Sequence, residues 1–132
     1  MNAFVLDASL ALEWFNQDAS PTSLAKRSLL DDRVAVVPHL WRFEIMNAVT
    51  TWTRRGDTTT AEAAVVLNDI MQLPIAIVDE GDPELVVALA LQHNLSAYDA
   101  TYLRAAMITG NPIATLDRAL ATAAKTAGVQ CL

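Results

Sequence analysis

The chain has 132 residues, 53% of them hydrophobic, and its 15 acids against 9 bases give a formal net charge of −6. That apolar fraction excludes a disordered chain, and the acidic balance opposes non-specific nucleic-acid binding through a basic face. A lone cysteine, Cys131, excludes an intrachain disulfide framework or thiolate zinc site, and no apolar run approaches the ~20 residues that span a bilayer.

No basic region and long apolar run open the sequence, so no signal peptide is expected, and a cytoplasmic protein with one domain over residues 1–132 is. Ala3-Phe4-Val5-Leu6 is a continuous apolar run, as in a strand covered on both faces, and it leads straight into Asp7-Ala8-Ser9. Leu10 to Phe15 read as a short helix. Ser20-Pro21 pairs an N-cap with proline at the first helical position and starts a helix to about Asp31, expected to bury Leu24, Leu29 and Leu30.

Arg33 to Pro38 is a second buried-strand run closed by proline. The strongest helix follows, His39 to Arg55, with Trp41, Ile45, Ala48, Val49 and Trp52 at helical spacing and Gly56 as its terminator. Thr59 and Glu62 form a capping-box pair for a helix through Met71, and Pro74 to Val78 is a third strand. Asp82-Pro83 starts a helix to His93, and Ser96 opens another over 97–109 that Gly110 ends. Ile113-Ala114-Thr115 is a fourth strand, followed by a helix from Leu116 to about Ala127 and a short strand at Val129-Gln130-Cys131. Strands separated by helices pair in parallel through crossovers. The expected fold is a three-layer α/β/α sandwich around a mostly parallel sheet of about five strands.

Open parallel sheets bind ligands beyond the carboxyl ends of their strands, which directs attention to acids at those positions. Asp7 and Asp117 each follow a strand, and each reads equally well as a helix cap. Ser96 and Asp99 have capping-box spacing. Glu44 is different. It borders the inward face of its helix with no lysine or arginine three or four residues away, and an unpartnered charge there costs on the order of 3 kcal/mol or more. A metal ion or a solvent-filled pocket would resolve that conflict.

Brought to one sheet edge, four carboxylates would raise one another's pKa values, and hard divalent cations such as Mg²⁺ or Mn²⁺ relieve that repulsion. The matching chemistry is metal-assisted phosphodiester hydrolysis. Ser9 and Thr115 lie two residues from an acid and Asn47 lies one turn beyond Glu44, each placed to support a carboxylate or a metal-bound water and each equally readable as an ordinary turn or cap residue. The chain has neither a Gly-rich phosphate loop nor a G-x-S-x-G elbow. An aspartyl-phosphate mechanism is also disfavoured, because Ser9 stands where a phosphatase signature needs a second acid.

Four segments in order, Val5-Leu6-Asp7-Ala8-Ser9, Glu44-Ile45-Met46-Asn47-Ala48-Val49, Leu95-Ser96-Ala97-Tyr98-Asp99-Ala100 and Ala114-Thr115-Leu116-Asp117, resemble the PIN-domain ribonucleases. Within them the chain looks most like the VapC toxins of toxin–antitoxin pairs. The resemblance implies Asp7, Glu44, Asp99 and Asp117 as the acidic quartet, with Asp7 and Asp99 as chief ligands of Mg²⁺ or Mn²⁺. Asp117 would assist the metal directly or through water, Glu44 would orient or activate water, and Thr115 matches a hydroxyl residue the family often places there. It further implies an endoribonuclease acting on RNA, a homodimer, and inhibition by a cognate VapB-like antitoxin. The competing reading keeps the PIN fold as a non-catalytic protein-binding module.

Overall fold

Strand-forming residues occupy the short apolar runs, and polar caps with glycine or proline punctuate the rest, so local preference and position agree along most of the chain. A computed structural model describes residues 2–132. Its elements run β1 (Ala3–Leu6), α1 (Ala8–Glu13), α2 (Pro21–Ala25), β2 (Val34–Val37), α3 (Leu40–Arg55), α4 (Thr60–Met71), β3 (Ile75–Ile77), α5 (Pro83–His93), α6 (Ala97–Thr109), β4 (Ile113–Ala114) and α7 (Arg118–Thr126). The four strands form one parallel sheet in the order β3-β2-β1-β4. Helices α1 to α4 pack on one another, as do α5 to α7, and together with the sheet they make the three-layer α/β/α sandwich.

The first strand is interior to the sheet, paired with β2 through Ala3–Val34 and with β4 through Val5–Ile113. Its Phe4, Val5 and Leu6 are wholly buried, as expected of a strand covered on both faces. The core continues through Trp41 and Ile45 of α3, Tyr102 and Leu103 of α6, and Leu120 of α7.

Caps fall where the residue types require. Ser20 accepts from the Ser23 amide with Pro21 at the first helical position, and Thr59 and Glu62 close a full capping box. Gly56 and Gly110 end α3 and α6 at φ of 80° and 67°, conformations a side chain would oppose.

Three expectations need correction. The helix opened by Ser20 is α-helical only to Ala25, and 26–31 tighten into a 3-10 turn. Within α2 it is Ser23 that is buried, so Leu24 faces outward, 46% exposed, while Leu29 and Leu30 stay partly buried against the core. The expected fifth strand is a single parallel bridge between Ile113 and Cys131, because β4 is itself only two residues long. The first helix begins at Ala8, directly after Asp7, rather than at Leu10.

Candidate active site

Asp7 stands in the N-cap position of α1 with extended backbone, yet its side chain makes no capping hydrogen bond. Its carboxylate is instead held laterally. The hydroxyls of Ser9 and Thr115 donate to Oδ2 at 2.9 and 2.6 Å. Those hydroxyls are in turn fixed by backbone amides, since Leu116 N–H donates to Ser9 Oγ at 3.3 Å and Asp117 N–H to Thr115 Oγ1 at 3.0 Å. The turn leaving β4 and the turn leaving β1 are thereby stitched together around one buried carboxylate, 5% exposed. Burial pushes the Asp7 carboxyl above its ordinary range, the Thr115 and Ser9 bonds oppose that, and the charge of Asp117 adds to it.

The other acids come from α3, α6 and the start of α7. Asp117 does cap α7, accepting from the Leu120 amide at 2.9 Å, so its capping role is real and coexists with its charge acting on Asp7 and Asp99. Asp99 is half-buried in the first turn of α6, where its amide donates to Ser96 Oγ at 3.1 Å. The carboxyl of Asp99 is raised by burial first and then by the charges of Asp117 and Asp7. Glu44 is also raised, chiefly by burial, with smaller contributions from Asp7 and Asp99. The fold therefore gathers all four acids into one electrostatic neighbourhood at the carboxyl edge of the sheet.

Glu44 is satisfied in a way the sequence did not announce. The phenol of Tyr102 donates to Glu44 Oε1 at 2.6 Å, so a neutral donor from α6, rather than a cation, meets the half-buried carboxylate. Tyr102 lies one helical turn beyond Asp99, and that i, i+3 spacing was the available signal. An aromatic residue on a helix face otherwise reads simply as core.

Ser9 and Thr115 join the acids as expected, whereas Asn47 is exposed on α3 and makes no hydrogen bond to them among the described residues. A cleft of about 470 Å³ lined by Phe15, Asp18, Trp52, Asp57, Glu62 and Val66 contains none of the four acids. The quartet occupies an open edge instead. Among the described residues no three Asp, Glu, His or Cys side chains are grouped closely enough to hold a metal ion as they stand. Oxygen-only donors with mutually raised pKa values nonetheless have the chemistry that a hard divalent cation needs.

The fold is shared with solved structures. PAE2754 from Pyrobaculum aerophilum superposes with a TM-score of 0.76 at 21% identity, covering 98% of this chain and 83% of that one. VapBC2 from Rickettsia felis, bound to a DNA fragment from their promoter, gives 0.67 at 12% identity over 98% and 97%. FitAcB from Neisseria gonorrhoeae gives 0.69 at 16% identity over 100% and 96%. Among curated proteins the sequence finds no match. The family model described as PIN domain matches residues 4–126, a span that takes in all but the first residue of the interior strand and every one of the four acids. With that match and a parallel sheet that presents those acids at its carboxyl edge, the chain belongs to the PIN-domain family.

Proposed function

We propose that the chain is a Mg²⁺- or Mn²⁺-dependent endoribonuclease and the toxin of a VapBC-type toxin–antitoxin pair. The observation that carries this reading is Asp7. It is a buried carboxylate at the end of the interior strand that caps nothing, is held by two hydroxyls and faces further acids. A purely structural acid has no reason to be desolvated and surrounded by like charge.

PIN domains typically use divalent metal ions. Here Asp7 and Asp99 would hold the ion, with Asp117 assisting directly or through water, and ligation would require these side chains to close in from their present separation. When bound, the ion supplies Lewis-acid polarisation of the scissile phosphate and eases deprotonation of water. Ser9 and Thr115 occupy Oδ2 of Asp7, which keeps the carboxylate from rotating and leaves Oδ1 available. Glu44 accepts the proton of the attacking water, a task favoured by a carboxyl that burial raises above its ordinary range.

A VapB-like antitoxin is the proposed partner, a homodimer the proposed assembly and the cytoplasm the proposed compartment. The similarity to VapBC2 and FitAcB supports the partner, and the exposed apolar Leu85, Val87 and Leu91 on α5 offer surface for association.

The test is cleavage of a mixed RNA pool by purified protein with Mg²⁺ or Mn²⁺. Cleavage should disappear with a chelator and fall by about 100-fold or more in Asp7→Asn and Asp99→Asn. Wild-type rates in both variants would overturn the assignment. The absence of a closely grouped acid trio favours the second reading, a PIN-fold protein-binding module. Titration calorimetry separates the two, because the module predicts no divalent binding at the quartet.

A further inference from the structure

We propose that Tyr102 is the positioning residue of the proposed ribonuclease reaction, its phenol holding Glu44 in the orientation from which the carboxylate takes the proton of water. The inference rests on the reading just given and adds a residue outside the acidic quartet.

Glu44 and Tyr102 are 58 positions apart and come from different helix layers, Glu44 from α3 and Tyr102 from α6. Their 2.6 Å bond joins those layers at the acidic edge. A glutamate side chain has three rotatable bonds and would otherwise sample many orientations at a half-exposed position. The phenol fixes Oε1, and Oε2 has no protein donor among the described residues. One oxygen is thus anchored while the other is left for solvent or substrate.

The donor is permanent. Tyr102 is wholly buried, and burial together with the neighbouring carboxylates drives its phenol far above the ordinary tyrosine range. It therefore keeps its proton throughout and exchanges none with the substrate, which makes it a positioning residue rather than an acid or base. Among the described residues no other side chain donates to Glu44. Arg42, beside Glu44 in sequence, is exposed, and no ion pair to Glu44 occurs among the described residues.

The experiment is a double-mutant cycle on the full chain, with a cleavable RNA and saturating Mn²⁺. Tyr102→Phe keeps the ring and removes one oxygen. It should lower kcat by about 10- to 100-fold with KM within about twofold, while Mn²⁺ binding measured by calorimetry is unchanged. In a Glu44→Gln background the same substitution should have no further effect on kcat, because its action passes through the carboxylate.

Wild-type kcat in Tyr102→Phe would overturn the inference. So would an equal fold-loss in both backgrounds. In each of those cases the wild-type enzyme still cleaves RNA and the ribonuclease reading stands. A wild-type chain that cleaves no RNA with either metal would overturn the ribonuclease reading itself, and the inference with it.

Discussion

Replacing Thr115 by valine removes one oxygen while keeping the branched shape of the side chain, and it isolates what the hydroxyl does for Asp7. That hydroxyl donates to Asp7 Oδ2 at 2.6 Å and accepts from the Asp117 amide at 3.0 Å. A hydrogen bond to a charged group is worth about 1.5–3 kcal/mol and one between neutral groups about 0.5–1.5. Asp7 is raised above its ordinary value of 3.8 because burial outweighs its hydrogen bonds. The folded chain therefore keeps the Asp7 proton at pH values where the unfolded chain has lost it, and Asp7's contribution to stability falls as pH rises through its folded-state pKa. The Thr115 bond favours the ionised form and opposes that fall. Without it the fall is steeper. Urea denaturation should show Thr115→Val less stable than wild type by about 2–3 kcal/mol near pH 8, and by about 1 kcal/mol near pH 4. Thr115→Ser, which keeps the oxygen, should recover most of the difference. A penalty that is the same at both pH values, or below about 0.5 kcal/mol throughout, would refute the account of how Asp7 is held.

Three further outcomes follow from the same geometry. Asp7, Glu44 and Asp99 are all raised by burial, so the metal-free chain should lose stability as pH rises from about 4 to 8, a slope measurable by urea midpoint, and a flat or rising profile would contradict it. Mn²⁺ at 100 times its dissociation constant should stabilise wild type by about 2.7 kcal/mol and Asp7→Asn by far less, while Asp7→Asn without metal should melt no lower than wild type, all readable by thermal unfolding. Trp14→Phe should cost about 1–3 kcal/mol by leaving the Ser23 carbonyl without the indole donor it meets at 2.7 Å, with RNA cleavage retained, since Trp14 lies outside the acidic edge.

Much of the architecture was readable because local and global preferences agree. Ser20, Thr59, Asp82 and Ser96 cap helices in the way their positions suggested, and the first four apolar runs became the four strands, although β3 is mostly exposed. Reading failed where a local period changed or a partner was remote. Leu24 faces outward because α2 buries Ser23 instead, and at about 100° per residue Leu24 does not share a face with Leu29 or Leu30. The last strand shrank to one bridge because its apolar residues met a two-residue partner. The acids were visible individually, but capping and chemistry cannot be told apart from spacing. Only the folded chain shows that Asp117 caps its helix and Asp7 does not. The unpaired charge predicted for Glu44 was a sound inference about cost. Its resolution lay in a tyrosine 58 positions away, beyond the reach of any local pattern.

The wiring of Asp7 also governs when the site exists. Its shortest bond spans 108 positions, and the Leu116–Ser9 link spans 107. A chain emerging from the ribosome N-terminus first presents the interior strand early, with neither β4 nor the hydroxyl that steadies its last residue. Contacts of such separation close late and slowly in folding. Nascent and truncated chains thus carry the carboxylates without the arrangement that would make them an active centre. For a proposed ribonuclease translated among RNA, that order of events delays cutting until the β4 turn carrying Thr115 has been made and has docked against Asp7.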